Sequence, residues 1–248
     1  MLTNERYDII LHVLNDKQTI TIQDIIEATS ASESTIRRDL TELENANKLK
    51  RIHGGATLTE KKLQEYSIAE KSTRNLHDKQ SIAKLAASFI QNEDCIFLDA
   101  GTTTLQLIPH LKNKQVVVVT NGLTHVDLLN EHNIKTYLTG GFLKQKTSAL
   151  VGQQAVQSLQ NYRFDKCFLG VNGFHHDLGY TTPDPEEASV KQTAHSLARE
   201  TYVLADSTKL NKVSFARICD IAEASLITNP LPEKDSGILS KQTTIEVV

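Results

Sequence analysis

The sequence predicts an α/β protein in two parts, an N-terminal winged helix-turn-helix and a C-terminal, mostly parallel α/β domain. Three observations predict this. Three short segments of helical period and a Gly-Gly hairpin fall within residues 1–58. From residue 78 on, short β-branched runs alternate with helical segments. Glycine and small polar residues recur where those runs end.

Thr3 can cap a helix over 3–14, with Ile9, Ile10, Val13 and Leu14 at helical spacing. Thr19, Ile20 and Thr21 read as a small strand. Residues 22–29 form a second helix, with Ile22, Ile25 and Ile26 on one face. After a turn at Ser30 and Ala31, Ser32 caps a third helix through about Asn45, whose apolar positions are Ile36, Leu40 and Leu43. Extended runs at 49–53 and 56–58 flank Gly54 and Gly55 and read as a hairpin. Residues 59–76 are polar, lack a clear period and read as a partly helical linker. A helix is expected over 78–91. Strands are then expected at 95–99, 116–120, 134–138, 165–170, 200–205 and 225–228, and helices at 103–111, 123–131, 152–160 and 186–199. The expected division is therefore 1–58, a linker at 59–76, and 77–248.

Bulk composition excludes several classes. The chain is 39% hydrophobic and 23% charged, enough apolar material for cores without disulfides. Cys95, Cys167 and Cys219 are odd in number, lie in or beside apolar runs, and read as buried free thiols. No signal-peptide pattern opens the sequence, and no apolar run approaches the ~20 residues of a spanning helix, so a cytoplasmic protein with no membrane partner is expected. The adjacent His175, His176 and Asp177 read as a solvated loop, with no metal expected. No cofactor motif is present; the Gly-rich segment near residue 101 lacks the Gly-Lys-Ser/Thr of a P-loop.

The net charge of −3 at pH 7 gives no hint of nucleic acid. Residues 1–58 hold seven Lys/Arg (6, 17, 37, 38, 48, 50, 51) against nine Asp/Glu (5, 8, 16, 24, 27, 33, 39, 42, 44). The argument for DNA rests on where the cations fall. With Ile36, Leu40 and Leu43 facing inward, the third helix presents Ser34, Arg37, Arg38 and Thr41 near its N-terminus, the part of a recognition helix that reaches base edges. Lys48, Lys50, Arg51 and His53 make a cationic hairpin. A solvated helix with internal ion pairs from Arg37 and Arg38 to Glu33, Glu42 and Glu44 is the plainer alternative.

SESTIRRDLTELE at 32–44 followed by LKRIHGGA at 49–56 resembles the signature of the DeoR family of bacterial repressors, and the resemblance runs through the rest of the chain. It implies recognition-helix and wing roles for Ser34, Thr35, Arg37, Arg38, Arg51, His53 and Gly54. Its implied partner is double-stranded operator DNA, bound by a homodimer or tetramer.

The second part carries the marks of an anion site. Asp99 and Gly101, Thr102, Thr103 and Thr104 follow an expected strand and open an expected helix, whose N-terminal N–H groups can cradle a phosphate. Other strand ends carry Asn121 and Gly122, Gly140 and Gly141, Asn172 and Gly173, and Asp206 with Lys209. In a parallel sheet such C-terminal ends gather at one edge, where ligands bind. Glu187 and Lys191 lie four apart, one turn along a helix that follows Pro183 and Pro185. The resemblance places Glu187, Lys191, Asp206 and Lys209 at a sugar-phosphate site, on a fold similar to ribose-5-phosphate isomerase. FDKCFLGVNG at 164–173 with GYTTPDPE at 179–186 resembles the fructose-operon repressors of the family, which implies fructose 1-phosphate as effector. A repressor rather than an enzyme is expected; the alternative is a sugar-phosphate isomerase with Glu187 as its base and an appended DNA-binding domain.

Overall fold

The computed structural model describes residues 2–17, 19–46, 48–57, 63 and 65–248, with Asn15 and Asp16 described by backbone alone. Leu58, expected to end the hairpin, and 59–62 and 64 of the expected linker lie outside the described residues. Two compact units form, Met1–Lys61 and Lys62–Val248. Among the described residues, no helix is long and apolar enough to cross a membrane.

The first unit runs α1 (Thr3–Lys17), β1 (Thr19–Thr21), α2 (Ile22–Thr29), α3 (Glu33–Asn45), β2 (Lys50–Ile52) and β3 (Gly55–Thr57). Each start has a local cause. Thr21 caps α2 in a capping box with Asp24, and the Ser32 hydroxyl accepts the Thr35 N–H at the start of α3. Ser30 ends α2 in the left-handed region at φ 54. Ile10, Leu14, Ile20, Ile25, Ile36, Leu40, Leu43, Leu49 and Ala56 form one core. The three strands make an antiparallel sheet in the order β1-β3-β2. α1 runs three residues past the expected end, and its Lys17 pairs with Asp24 at 2.6 Å.

The hairpin turn differs from expectation. Ile52 already pairs with Gly55, so the turn consists of His53 and Gly54, with Gly54 at φ +79. Gly55 serves packing instead: a Cβ there would sit 2.0 Å from the Ile20 carbonyl oxygen, on the strand that β3 must approach.

The second unit opens with α4 (Ile68–Thr73) and α5 (Leu76–Ser88). It continues with β4 (Cys95–Leu98), α6 (Thr102–Leu105), β5 (Val117–Thr120), α7 (Val126–Glu131), β6 (Lys135–Leu138), β7 (Phe142–Lys144), β8 (Ala149–Val151) and α8 (Gln153–Leu159). Then come β9 (Phe164–Gly170), β10 (Gly173–His175), β11 (Gly179–Thr182), α9 (Pro185–Ser196), β12 (Ala198–Leu204), β13 (Ala216–Cys219), β14 (Ser225–Thr228), α10 (Glu233–Leu239) and β15 (Ile245–Val247). Seven strands form a parallel sheet in the order β15-β14-β12-β9-β4-β5-β6.

Alternate residues of these strands face opposite cores, as the two-residue period demands. Phe97, Val119, Cys167, Leu169 and Val203 pack against α8 and α9. Ile96, Leu98, Val118, Phe168 and Leu204 pack against α5 and α7. The helix expected over 103–111 is cut short: α6 ends at Leu105, and a 3-10 turn, Ile108–Leu111, carries Pro109 at its start, where a missing N–H costs nothing. The helix expected to 199 ends at Ser196, and its strand begins at Ala198. β15, only three residues long, was not anticipated, nor was the small antiparallel sheet β10-β11-β13.

Strand order explains where a ligand fits. From β4 the chain moves outward through β5 to β6; β9 then returns to the other side of β4, and β12, β14 and β15 follow outward. The order reverses between β4 and β9, and a crevice opens at the C-terminal ends of strands at such a point.

Candidate functional site

The first unit presents a polar face on α3 and the hairpin. Ile36, Leu40 and Leu43 are buried, while Ser34, Arg37 and Arg38 are exposed, as the helical period requires. Asp39 is also buried, held by Arg6 of α1 in a two-pronged pair with one contact at 2.9 Å. Tyr7 bonds Glu42, which pushes the Tyr7 hydroxyl up to about 12. α3 is thereby clamped from behind.

On the exposed face, Arg37 pairs with Glu33 at 2.6 Å and Arg38 with Glu42 at 3.2 Å. The internal pairing foreseen for this helix is present for two of the three glutamates. Such exposed pairs are weak and exchange readily for a phosphate or a base. Glu44 does something else: it accepts the Arg51 backbone N–H at 2.8 Å. The Thr41 hydroxyl donates to the Arg37 carbonyl at 2.9 Å and accepts from Arg51 Nη1 at 2.8 Å. Thr41 therefore braces the wing arginine against α3. Thr35 and Ser34 share their hydroxyls with Ser32 at 2.9 and 3.1 Å. Lys50, His53 and Gly54 are exposed on the hairpin.

In the second unit, Asp99 directly follows β4 at the point where the strand order reverses. It is 1% exposed, and Gly170 at the end of β9 donates its N–H to Oδ2 at 2.9 Å. The Lys191 ammonium, from α9, bonds the same oxygen. Burial pushes the Asp99 carboxyl up, and Lys191 counters it. The other oxygen, Oδ1, is buried without a hydrogen-bond partner among the described residues, as are Glu65 Oε1 and Thr139 Oγ1.

Glu187, one turn before Lys191, does not pair with it. It accepts from Thr147 Oγ1 at 2.7 Å, Lys144 Nζ at 3.1 Å and Thr182 Oγ1 at 3.5 Å. Burial alone would raise its pKa, but Lys191 and Lys144 outweigh burial and hold the carboxyl below the usual range. Lys144 also contacts Glu65 and Asp184, each at 2.7 Å. Burial would lower the Lys144 pKa, and the carboxylates together push it up.

A group of cations faces these acids. Lys79, on α5, is 5% exposed and bonds the Lys71 carbonyl. Burial lowers its pKa to about 8, with Lys209, Lys71 and Arg74 adding to the effect and Asp206 opposing it. Burial likewise lowers Lys71, whose neighbours include Glu187, Glu65, Lys209 and Lys191. Among the described residues, Lys71, Lys79 and Lys209 have no carboxylate in salt-bridge contact. Asp206 instead accepts from the Thr208 N–H at 3.1 Å, from the Thr208 hydroxyl and from Asn75 Nδ2 at 3.2 Å, and caps the 3-10 turn Ser207–Lys209.

Several expected ligand residues are occupied by the fold. Thr104 is fully buried and donates to the Asp99 and Gly101 carbonyls. Asn121 accepts the Ala100 N–H at 2.8 Å and donates to the Leu150 carbonyl at 3.2 Å, which shapes the loop but leaves little for a ligand. Asn172 Oδ1 accepts from Thr182 at 3.2 Å. A Cβ at Gly173 would lie 2.2 Å from the Lys212 carbonyl oxygen, one at Gly141 2.5 Å from that of Val151, and one at Gly122 2.8 Å from His125. These glycines allow chain crossings close by. Gly101, Thr102 and Thr103 remain at the start of α6, and Gly140 is exposed. His125 is fully buried between Thr120 Oγ1 and the Gly101 carbonyl, and burial lowers its pKa to about 4.

Sequence reasoning missed Lys71, Lys79, Arg74, Lys144 and Glu65. Two signals could have found some of them. SIAE at 67–70 is a capping-box pattern, and the structure shows that box at the start of α4. Lys79 lies three and four residues before Ile82 and Ala83, on the buried face of α5. A lysine on an apolar face needs a reason.

The His175-His176-Asp177 run forms the turn between β10 and β11. The rings stack at 4.3 Å, and the possible ligand atoms of all three lie within 4.8 Å of one another, closer than expected for adjacent histidines. The turn is closed on itself: the Asp177 N–H bonds His175 Nδ1 at 3.1 Å, and the Asp177 carboxylate lies 3.0 Å from His176 Nδ1. All three cysteines are free; Cys167 and Cys219 are buried and Cys95 is half-buried.

Comparison with known proteins bears on both units. Residues 6–62 match the DeoR-like helix-turn-helix domain, and residues 74–229 match the DeoR C terminal sensor domain. The chain is 46% identical over its full length to a Bacillus subtilis protein described as an uncharacterized HTH-type transcriptional regulator, FruR, of which it covers 99%. It is 35% identical to the lactose phosphotransferase system repressor of Staphylococcus aureus, with both chains fully covered. Among solved structures it is similar to ribose 5-phosphate isomerase A from Methanocaldococcus jannaschii, at 19% identity over 55% of each chain and a TM-score of 0.42.

Proposed function

The chain belongs to the DeoR family, and from that premise we propose that it is a transcriptional repressor of a sugar-utilisation operon, probed first as a fructose operon, released by a phosphorylated sugar such as fructose 1-phosphate. Residues 1–58 read operator DNA and 77–248 bind the effector. The segment 59–76 is more than a linker, because it supplies Glu65, Lys71 and Arg74 to the effector unit. The protein acts in the cytoplasm as a dimer or tetramer, since helix-turn-helix proteins bind paired half-sites.

The observation that carries this reading is the set of lysines that α4, α5 and the turn after β12 bring together. Lys71, Lys79 and Lys209 are gathered without a direct carboxylate partner among the described residues, and two of them have lowered pKa values. A phosphate dianion supplies the missing charge and favours the ammonium form. Buried oxygens without hydrogen-bond partners among the described residues, Asp99 Oδ1 among them, can accept hydrogen bonds from sugar hydroxyls. On the DNA side, Arg37 and Arg38 reach base edges while Ser34, Thr35, Lys50, Arg51, His53 and Gly54 meet the backbone or the minor groove.

The crevice is built for binding rather than turnover. A general base works best with a pKa near the operating pH, and Lys191 and Lys144 hold the Glu187 carboxyl below the usual range, which leaves it a weak base. Calorimetric titration of the full chain with fructose 1-phosphate tests the reading. Saturable binding that inorganic phosphate or unphosphorylated fructose cannot match is expected. Absence of binding to fructose 1-phosphate and to other hexose phosphates would refute the effector assignment.

A further inference from the structure

The C-terminal end of α9 meets two elements that carry metal-ligating side chains. His195 lies in the last turn of α9, Cys219 ends β13, and Glu223 closes the 3-10 turn Ile221–Glu223. One ring nitrogen of His195, the Cys219 sulfur and a carboxylate oxygen of Glu223 all lie within 4.8 Å of one another. Around a tetrahedral zinc ion, with bonds of about 2.0–2.3 Å, such atoms stand about 3.3–3.8 Å apart. Closing the set therefore takes movements of about 1 Å, within the reach of side-chain rotation.

The orientation of each group supports ligation. His195 Nδ1 is 2.9 Å from Thr201 Oγ1. When Nδ1 donates its proton to that hydroxyl, Nε2 keeps its lone pair for a ligand. Metal-binding histidines are held in this way through their second nitrogen. Glu223 Oε2 accepts the Asp220 N–H at 2.6 Å, which anchors the carboxylate and leaves Oε1. Cys219 is 3% exposed, His195 half-buried and Glu223 exposed. The sulfur is thus shielded, and the carboxylate side stays open for an ion to enter and for water to complete its shell.

We propose that His195, Cys219 and Glu223 form a binding site for a borderline-soft divalent metal ion, zinc foremost, with water as the fourth ligand. One nitrogen, one sulfur and one oxygen select zinc or cobalt over magnesium and calcium, which want oxygen alone. As the sulfur–metal bond forms, the Cys219 thiol releases its proton to solvent. The ion ties the last turn of α9 to β13. α9 also carries Glu187 and Lys191, so the bound metal steadies the helix that supplies them. The His175-His176-Asp177 turn is the weaker rival, because it lacks sulfur and Asp177 engages Nδ1 of both rings.

The test is titration of the reduced, metal-free full chain with cobalt(II), followed by absorption and thermal unfolding. One cobalt per chain is expected, with a thiolate-to-cobalt absorption band, displacement by zinc and a raised thermal midpoint. Cys219→Ser removes the band, and His176→Ala leaves it intact. Thr201→Val keeps the three ligands and weakens cobalt binding by about 10- to 100-fold. Glu223→Gln, at an exposed position, also weakens binding and covers the case in which Cys219→Ser fails to fold. A chain that shows no thiolate band overturns the site. So does a band that survives Cys219→Ser, a band lost in His176→Ala, or affinity unchanged in Glu223→Gln.

Discussion

Lys191 places its ammonium on the carboxylate of Asp99, 92 positions earlier in the chain, where β4 and β9 diverge and the strand order reverses. Both groups are buried, at 4% and 1% exposure. Two charges meet here inside the protein, beside an oxygen without a hydrogen-bond partner among the described residues, in the place where a parallel sheet binds its ligands. On the proposed reading, stability and ligand recognition draw on the same pair.

Removing one partner strands the other. Lys191→Met leaves the Asp99 charge buried and uncompensated and is expected to cost about 3–5 kcal/mol of folding stability. Urea unfolding of the full chain reads this directly. The double variant Lys191→Met/Asp99→Leu should recover much of the loss, because it removes both charges. If the single variant unfolds at the same urea concentration as the parent, the pair is not the buried ion pair described here.

Lys71 and Lys79 give a separable effect on the effector. Lys79→Met should weaken sugar-phosphate binding by about 10- to 100-fold, the loss of one charge-assisted contact, and leave DNA affinity unchanged. The resulting protein would stay bound to its operator in the presence of sugar phosphate. Since the Lys79 pKa is lowered to about 8, effector affinity in the parent should also decline as the pH rises through about 8, and Lys79→Met should flatten that decline. Titration calorimetry between pH 7 and 9 measures both.

On the DNA side, Arg37→Ala should abolish discrimination between operator and random duplex. Lys50→Ala should weaken binding to all sequences and reduce its salt dependence. Thr41→Val should act through Arg51, since its hydroxyl holds that guanidinium at 2.8 Å; a moderate loss of affinity without loss of sequence preference is expected. Fluorescence anisotropy at two salt concentrations distinguishes the three. Equal effects of Arg37→Ala and Lys50→Ala on specificity would contradict the roles given to them.

His125 sets an acid limit on stability. Its folded pKa, lowered to about 4 by burial, lies below the ordinary histidine value of 6.5. The unfolded chain therefore binds a proton that the folded chain refuses, between about pH 6.5 and about pH 4. This contribution to stability is fully present above the upper value and declines as the pH falls, by about 3 kcal/mol in all. His125→Gln should unfold with a shallower pH dependence across that window. An unchanged slope would show that His125 titrates normally in the folded chain.

Much of this was legible in the amino-acid order, for identifiable reasons. Ile36, Leu40 and Leu43 repeat at helical spacing and Ser32 is a strong cap, so α3 could be drawn before its structure was seen. The apolar runs behind Asp99, Thr120 and Gly170 are largely buried and read as parallel strands. Non-local facts were hidden. Gly55 is explained only by Ile20, a partner on β1. Lys79 looks like any surface lysine unless its place on the buried face of α5 is noticed, and Lys71 sits in a segment whose polar composition suggests a tether. Asn121, Gly141 and Gly173 lie at strand ends as a ligand site would have them, yet their contacts are with the protein's own backbone. Spacing within the chain revealed the elements; which side chains are spent on the fold and which remain for a ligand depends on contacts across it.

The most direct test of the whole account is the affinity of the full chain for duplex DNA from upstream of its own gene, measured by anisotropy across a fructose 1-phosphate titration. The account predicts tight, sequence-specific binding that weakens by about 5- to 150-fold as the effector saturates. DNA affinity unmoved by fructose 1-phosphate and by every other hexose phosphate tried would contradict it.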